Sequence, residues 1–343
     1  MVYLIGRSRG INYLYIDDLP LIGHIAFGVI DRGTNIIQVR PTTICQLNCV
    51  FCSVDAGPFT RRRQSEYIVD LRHIIRWIDK VRELKNNEID EALIDGVGEP
   101  TTYNKLPELV YELKMRFPRV AVETHGQLLS HKLIDELEKA GLDRINLSID
   151  TLDPVKARFL QGVNWYDVEK IKRLAEYIIK NTRIDIHLTP VWIPGVNDED
   201  IENIIRWGLS IGVGKRFPPF GIQKYMIHRY GRRIKGVKDV AWGHFKEFLE
   251  NLEKKYGVPL YYKNIDFGIR RTKPVPTKYD VSEKIFVKIV APGWFKKEVL
   301  AVDLDEEITL TIIDIDNPGR FIGRRGWVRV IENADNIYIA TLI

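Results

Sequence analysis

Six times between Ile36 and Leu252 a short apolar run of strand length gives way to an amphipathic stretch of helical period. Ile36–Arg40 leads to the face Leu71, Ile74, Ile75, Ile78 and Leu84. Residues 92–94 lead to 106–115, 120–123 to 131–140, 144–149 to 168–179, 184–188 to 201–209, and 220–225 to Phe245, Leu249 and Leu252. Consecutive parallel strands need a long connection to return the chain to the same end, so this alternation specifies an α/β fold with helical crossovers. Six units make either an open doubly wound sheet or a partial barrel, and in both the chemistry collects at the C-terminal ends of the strands. Ahead of the first unit, GHIAFGVIDRGTNIIQVR reads as a hairpin turning at residues 31–35. After about residue 280 the period drops to two, in KIFVKIVA, EVLAV, EITLTIIDI, GWVRVIE and NIYIATLI. Five short strands close most economically into a small all-β barrel of oligonucleotide-binding or SH3-like type. The expected divisions are an N-terminal hairpin extension over 1–35, the α/β core over 36–235, a helix and basic linker over 236–280, and the β domain over 281–343.

The chain has three cysteines, Cys45, Cys49 and Cys52, all within eight consecutive positions directly after the first strand. Three thiols cannot make a disulfide framework, so they form a site. A closed structural zinc takes four protein ligands, and neither a fourth cysteine nor a histidine nearer than His24 and His73 is at hand. A four-iron cluster held by three thiolates instead leaves one iron without a protein ligand, open to a small molecule. No apolar run approaches the roughly 20 residues that span a bilayer, and the N-terminus lacks a signal-peptide layout, so a cytoplasmic protein without membrane partners is expected.

The run CQLNCVFC, with Phe51 before its last cysteine, resembles the signature of the radical S-adenosylmethionine (radical SAM) superfamily. The resemblance implies a partial (β/α)6 barrel. It also implies that Cys45, Cys49 and Cys52 hold a 4Fe–4S cluster whose open iron chelates S-adenosyl-L-methionine, which one electron cleaves to methionine and a 5′-deoxyadenosyl radical. Gly96-Val-Gly98-Glu99-Pro100 is similar to the family's GGEP motif, which contacts the methionyl amino group through backbone. Taken by itself, a GxG after a strand is also an ordinary tight turn. Ser148 and Asp150 match the ribose-contacting strand, Asp150 having an N-cap role to the next helix as its alternative. Thr124-His125-Gly126 stands where relatives often carry Thr-Asn-Gly, and the loop Thr189 to Asp198, with Asn197, resembles the one near the adenine. The candidate cofactor-binding residues are therefore Phe51, Gly96, Gly98, Glu99, Pro100, Thr124, Ser148, Asp150 and Asn197. The likeness covers roughly residues 36–235.

All three cysteines are used by one cluster, so superfamily reactions that need a second cluster or a methyl-carrying cysteine do not fit. Hydrogen abstraction followed by rearrangement, cleavage, coupling or oxidation remains. The formal charge of +5 hides an asymmetry, since residues 206–278 hold 17 Lys or Arg against 5 Asp or Glu. That excess reads either as a thermophile's lysine-rich surface or as a phosphate-binding face. The segment Gln223 to Lys235, with its interleaved tyrosines, suits phosphate contact and base stacking, or a solvated loop, and Arg61-Arg62-Arg63 would add positive potential at the same rim. The last domain resembles the small β modules of TRAM type that some RNA-modifying enzymes carry, although its 8 basic and 9 acidic residues from Lys284 onward nearly cancel. An RNA nucleoside is the expected substrate, with ferredoxin or a similar reductant as electron donor. A small metabolite fixed by His125, His187 and Gln223 is the alternative, followed by a protein substrate as in glycyl-radical activation. A plain Fe–S electron carrier is the non-enzymatic reading.

Overall fold

A computed structural model describes residues 2–262 and 267–343; Met1 and residues 263–266, four positions of the expected linker, lie outside it. The described residues fold as two compact units, one formed by residues 2–44, 60–105 and 271–343, the other by residues 45–59, 106–262 and 267–270.

In the first unit β1 (Val2–Ser8) and β2 (Ile11–Ile16) form an antiparallel hairpin. β3 (Gly28–Asp31) and β4 (Ile36–Arg40) form the hairpin expected around residues 31–35. β5 (Ser65–Val69) runs parallel to β2 and hands the chain to α1 (Leu71–Leu84), whose N-cap Asp70 accepts the His73 amide at 3.0 Å. β6 (Glu91–Ile94) returns parallel to β4.

The second unit carries the repeating pattern. α2 (Leu106–Lys114), β7 (Arg119–Thr124), α3 (His131–Ala140), β8 (Arg144–Leu147), α4 (Pro154–Gln161), α5 (Val168–Asn181) and β9 (Asp185–Leu188) follow in order. β10 (Val191–Trp192), α6 (Asp198–Ile211), β11 (Gln223–Lys224) and α7 (Trp242–Tyr256) complete it. β7, β8 and β9 pair in parallel and in chain order, and β4 and β6 do likewise in the first unit. Neither set reverses as a doubly wound sheet does at its switch point. The sixth expected strand, over 220–225, shrinks to a bridge between Leu188 and Phe220 and the two-residue β10–β11 pair. Pro218 and Pro219 bring no N–H to a ladder, and Gly221 lies so close to the His187 ring that a Cβ would stand 2.3 Å from Nε2.

The first unit resumes at Arg271. β12 (Lys284–Pro292), β13 (Val299–Asp303), β14 (Thr309–Ile312), β15 (Arg325–Glu332) and β16 (Ile339–Leu342) close into a barrel in the order β12-β13-β14-β16-β15. The five period-two runs are its five strands. The barrel is tied to the rest of its unit: Tyr67 Oη donates to the Pro292 carbonyl at 3.0 Å, and Gln64 Nε2 donates to the carbonyls of Phe295 and Glu298 at 2.7 Å each. Arg63 lies with its guanidinium 4.8 Å from the Trp294 ring. It is not the exposed rim cation expected from the Arg61-Arg62-Arg63 run. It is buried, donating to the Thr43 carbonyl and to Glu66 at 3.0 Å and also to the Val97 carbonyl. Guanidinium fits that place because its several N–H donors can meet these acceptors together.

Candidate functional site

The cysteine loop belongs to the second unit and is clamped there from two sides. On one side the C-terminal end of α4 pairs with it: Asn48 N donates to the Gln161 carbonyl at 3.0 Å and Val50 N to the Leu160 carbonyl at 2.9 Å. Gly162 turns out of α4 at φ +65°, and a Cβ there would stand 2.0 Å from the Asn48 carbonyl oxygen, so only glycine fits. On the other side Arg232 donates through Nε to the Cys49 carbonyl (2.7 Å) and through Nη1 to Asn48 Oδ1 (3.0 Å) and Asp55 Oδ1 (2.9 Å). Its Nη2 donates to the Ala56 carbonyl (2.6 Å). Its backbone N donates to the Cys52 carbonyl at 2.8 Å. Arg232 comes from the basic segment read as a phosphate-contacting face. Its charge is spent on the cysteine loop, and Lys224 is likewise turned inward, over the Trp242 ring and toward Asp239.

None of the three cysteines is in a disulfide. Cys49 is buried; burial, followed by the nearby Cys45 and Cys52, pushes its thiol well above the usual range. Its Sγ–H donates to Gln161 Oε1 at 2.8 Å, and Cys52 Sγ accepts the Ala56 amide at 3.2 Å. Among the described residues no group of three His, Cys, Asp or Glu is placed to hold a single ion. Three cysteine sulfurs in one short loop are the donor type that an iron–sulfur cluster takes. Two further observations suit a polar ligand beside the loop. Both amide atoms of Gln46 are buried with no partner among the described residues, and so is the hydroxyl of Tyr225.

Asp150 lies behind the loop. Its Oδ2 accepts Gln161 Nε2 at 2.7 Å and its Oδ1 the Val191 amide at 2.8 Å, so Asp150, Gln161 and Cys49 Sγ form one chain of hydrogen bonds. The carboxyl is fully enclosed, and desolvation pushes its pKa up. Asp150 is not a helix N-cap; Asp153 takes that place, accepting the Lys156 amide at 2.6 Å. Asn197 is fully buried, its Nδ2 donating to the carbonyls of Asp150 (3.0 Å) and Val191 (2.9 Å) and its Oδ1 accepting the Ile193 amide at 2.7 Å. Ser148 Oγ lies 3.2 Å from Thr189 Oγ1, Thr124 Oγ1 accepts the Gly126 amide at 2.9 Å, and His125 Nδ1 lies 3.2 Å from the Ser148 carbonyl. Phe51 packs with Val50 against Leu160, Ile193 and Tyr225. Of the alternative substrate-fixing trio, His187 has Nδ1 2.6 Å from the Pro218 carbonyl and is pushed down to about 4 by burial, His125 is part-buried, and Gln223 is exposed.

In the first unit, Gly96 to Pro100 follows β6. A Cβ on Gly98 would stand 2.3 Å from the Thr43 carbonyl oxygen, so this glycine is required by close backbone approach. Glu99 Oε1 caps the turn, accepting the Thr101 amide at 3.1 Å and hydroxyl at 2.7 Å, and Pro100 follows as the first residue of that turn. Sequence reasoning missed Gln161, Arg232 and Tyr225. The signals that could have found the first two are their neighbouring glycines, Gly162 and Gly231, where a Cβ would meet the Asn48 or Ser53 carbonyl.

Comparison with known proteins gives a consistent picture. The radical SAM superfamily matches residues 39–208. The uncharacterised protein MJ0103 of Methanocaldococcus jannaschii is 40% identical over 351 residues, covering 96% of this chain and 80% of that protein. A GTP 3′,8-cyclase of Syntrophomonas wolfei is 29% identical over 195 residues, covering 55% of this chain and 56% of the cyclase. Among solved structures, Streptococcus suis SuiB bound to S-adenosylmethionine superposes with a TM-score of 0.50 at 19% identity, over 66% of this chain and 49% of SuiB. The hydrogenase maturase HydG of Carboxydothermus hydrogenoformans does so with 0.51 at 16%, over 64% and 52%. The chain thus spans about half the length of the cyclase and of both structural neighbours, and the structural likeness is one of fold.

Proposed function

We propose, since this chain belongs to the radical SAM superfamily, that it is an enzyme in which Cys45, Cys49 and Cys52 hold a 4Fe–4S cluster and whose substrate is an RNA nucleoside. When bound, the cluster supplies the electron that cleaves S-adenosylmethionine to methionine and a hydrogen-abstracting 5′-deoxyadenosyl radical. The observation that carries the reading is the loop itself: three cysteines within eight positions, none in a disulfide, braced by Gln161 on one side and Arg232 on the other.

This chain's residues then have distinct tasks. Gln161 Oε1 holds the Cys49 thiol proton until the sulfur is deprotonated for ligation. Arg232 fixes the loop through the Cys49 and Ala56 carbonyls and the Asn48 and Asp55 side chains. Phe51, Leu160 and Ile193 form an apolar wall that keeps water from a radical. In the first unit Gly98 and Glu99 shape a tight backbone turn after β6. Because Asp150 and Asn197 have their polar side-chain atoms engaged, they act on the adenosyl moiety by placing the backbone at residues 191–193. A low-potential carrier such as ferredoxin is the reductant. A second reading, a free purine nucleotide as substrate, is favoured by the similarity to GTP 3′,8-cyclases.

Anaerobic reconstitution followed by reductant and S-adenosylmethionine tests the reading. One 4Fe–4S cluster per chain and release of 5′-deoxyadenosine are expected, both lost in Cys49→Ala. A full cluster that releases no 5′-deoxyadenosine would leave an electron carrier instead. Nucleoside mass spectrometry of total RNA from a deletion strain separates the substrates, because an unchanged profile moves the assignment to the free nucleotide.

A further inference from the structure

The near-neutral charge of the β barrel conceals a strong polarity. At the β13–β14 turn Asp303, Asp305 and Glu307 converge on Lys278 at 2.7 to 2.9 Å. Four basic residues, Lys284, Lys288, Arg325 and Arg329, stand elsewhere, on the outer face of the β12–β15 pair. The register there sets Lys284 opposite Arg329, Phe286 opposite Trp327, and Lys288 opposite Arg325. On β12 the three alternate with the buried Ile285 and Val287, and on β15 Trp327 and Arg329 flank the buried Val328, so with Arg325 two residues before Trp327 the six share the solvent side; the four cations are exposed and Trp327 is 55% exposed.

Two features of this face run against stability. Like charges directly opposite on paired strands repel, and here two such pairs occur four residues apart with no acidic partner among the described residues for any of the four. Between them a tryptophan and a phenylalanine, rings 5.3 Å apart, lie on the surface of a barrel whose core is already filled. A thermophile surface selected for ion pairs would interleave glutamate at these positions. Paired cations on both sides of an exposed aromatic platform instead match a ligand that alternates negative charge with flat apolar rings.

We propose that this outer face of β12 and β15 binds single-stranded RNA, with bases stacking on Trp327 and Phe286 and phosphates held by Lys284, Lys288, Arg325 and Arg329. Same-face side chains along a strand are about 7 Å apart, which lets neighbouring cations serve successive nucleotides of an extended strand. RNA is the fitting nucleic acid because its loops present unstacked bases, whereas duplex DNA keeps them enclosed. Arg324, beside the Phe321 ring in the β14–β15 loop, extends the basic surface at one end. The inference deepens the proposed function by naming where an RNA substrate would be held, and it rests on that reading only for what the held RNA is for.

The test is fluorescence anisotropy of the full-length protein with a labelled single-stranded RNA of about 20 nucleotides. Wild type should bind and weaken steeply between about 50 and 200 mM salt. Trp327→Ala should weaken binding about tenfold or more, the value of losing one stacked base. Lys284→Glu with Lys288→Glu should weaken it further and reduce the salt slope, while raising the melting temperature, because each new carboxylate faces an arginine across the sheet. Arg183→Glu, on the exposed surface of the other unit, should leave binding unchanged. No binding by wild type, binding indifferent to the Trp327 and lysine substitutions, or Trp327-dependent binding of phosphatidylserine vesicles in place of RNA would each overturn the proposal. Release of 5′-deoxyadenosine in the absence of RNA is measured on the same variants. It is expected to be unchanged, and its loss in Cys49→Ala with RNA binding retained would keep the two readings apart.

Discussion

Arg232 occupies four acceptors with one side chain, and that economy gives a sharp expectation. Lysine can replace the charge but has no planar fork, so it cannot reach the Cys49 carbonyl, the Asn48 and Asp55 side chains and the Ala56 carbonyl together. Iron bound after anaerobic reconstitution should therefore fall in Arg232→Lys as well as in Arg232→Ala. Full iron content in the lysine variant would show that charge alone suffices. Two of the buried histidines, His24 and His187, set a second expectation. Burial, then Arg40, pushes His24 down to about 3, and burial pushes His187 down to about 4, from an ordinary value of 6.5. The unfolded chain thus binds more protons than the folded one between about pH 3 and 6.5. The stability these two histidines contribute is fully present above 6.5 and is lost as pH falls through that window, a tenfold difference in proton affinity between the two states being worth roughly 1.4 kcal/mol. The urea midpoint should decline from pH 6.5 to 4, and His187→Asn should lessen the decline; an identical decline in the variant would remove His187 from the account.

At the scale of elements, the strands and helices that recur with a clear period were legible, and those fixed by partners were not. β4, β6, β7, β8 and β9 announce themselves as apolar runs followed by helices. β5 escaped because SEYIV is short and follows a charged run whose last residue, Arg63, proves to be internal. α4 carried a local signal, Asp153 before Pro154, that marks a helix start. Its importance lies at its other end, where the turn at Gly162 presents the Gln161 and Leu160 carbonyls to the cysteine loop. Gly162→Ala would need both a strained left-handed backbone and displacement of the Asn48 carbonyl. Reconstituted iron should drop severalfold, while far-ultraviolet circular dichroism changes little because the helix itself ends before this residue. Wild-type iron content in that variant would mean that the clamp is dispensable. Neither Arg63 nor Arg232 could be assigned from sequence, since a buried arginine holding carbonyls looks the same in a charge count as a solvated one.

For the molecule as a whole, the change of period near residue 280 suggests a detachable module, but the barrel shares its core with the segments around β5. Tyr67 is fully buried, donates to the Pro292 carbonyl, and packs against Phe27 with ring centroids 4.9 Å apart. Trp294 stacks on Phe295 at 4.4 Å and receives Arg63 on its ring. Gln64, Arg61 and Arg62 all bond to residues 294–298, and Thr309 Oγ1 donates to the Pro20 carbonyl at 2.7 Å. Removing residues 281–343 would expose Tyr67 and leave the Arg63–Glu66 pair partly stripped of its cover, and a buried ion pair that loses its surroundings is costly. The fragment 1–280 is therefore expected to be insoluble or to melt far below the intact chain. In the intact protein, Trp294→Ala should lower the melting of β1–β6 and of the barrel together, as read by hydrogen exchange at amides in both. Exchange that rises in the barrel alone, with 1–280 soluble and cooperatively folded, would show instead that the barrel is an independent domain joined only by its linker.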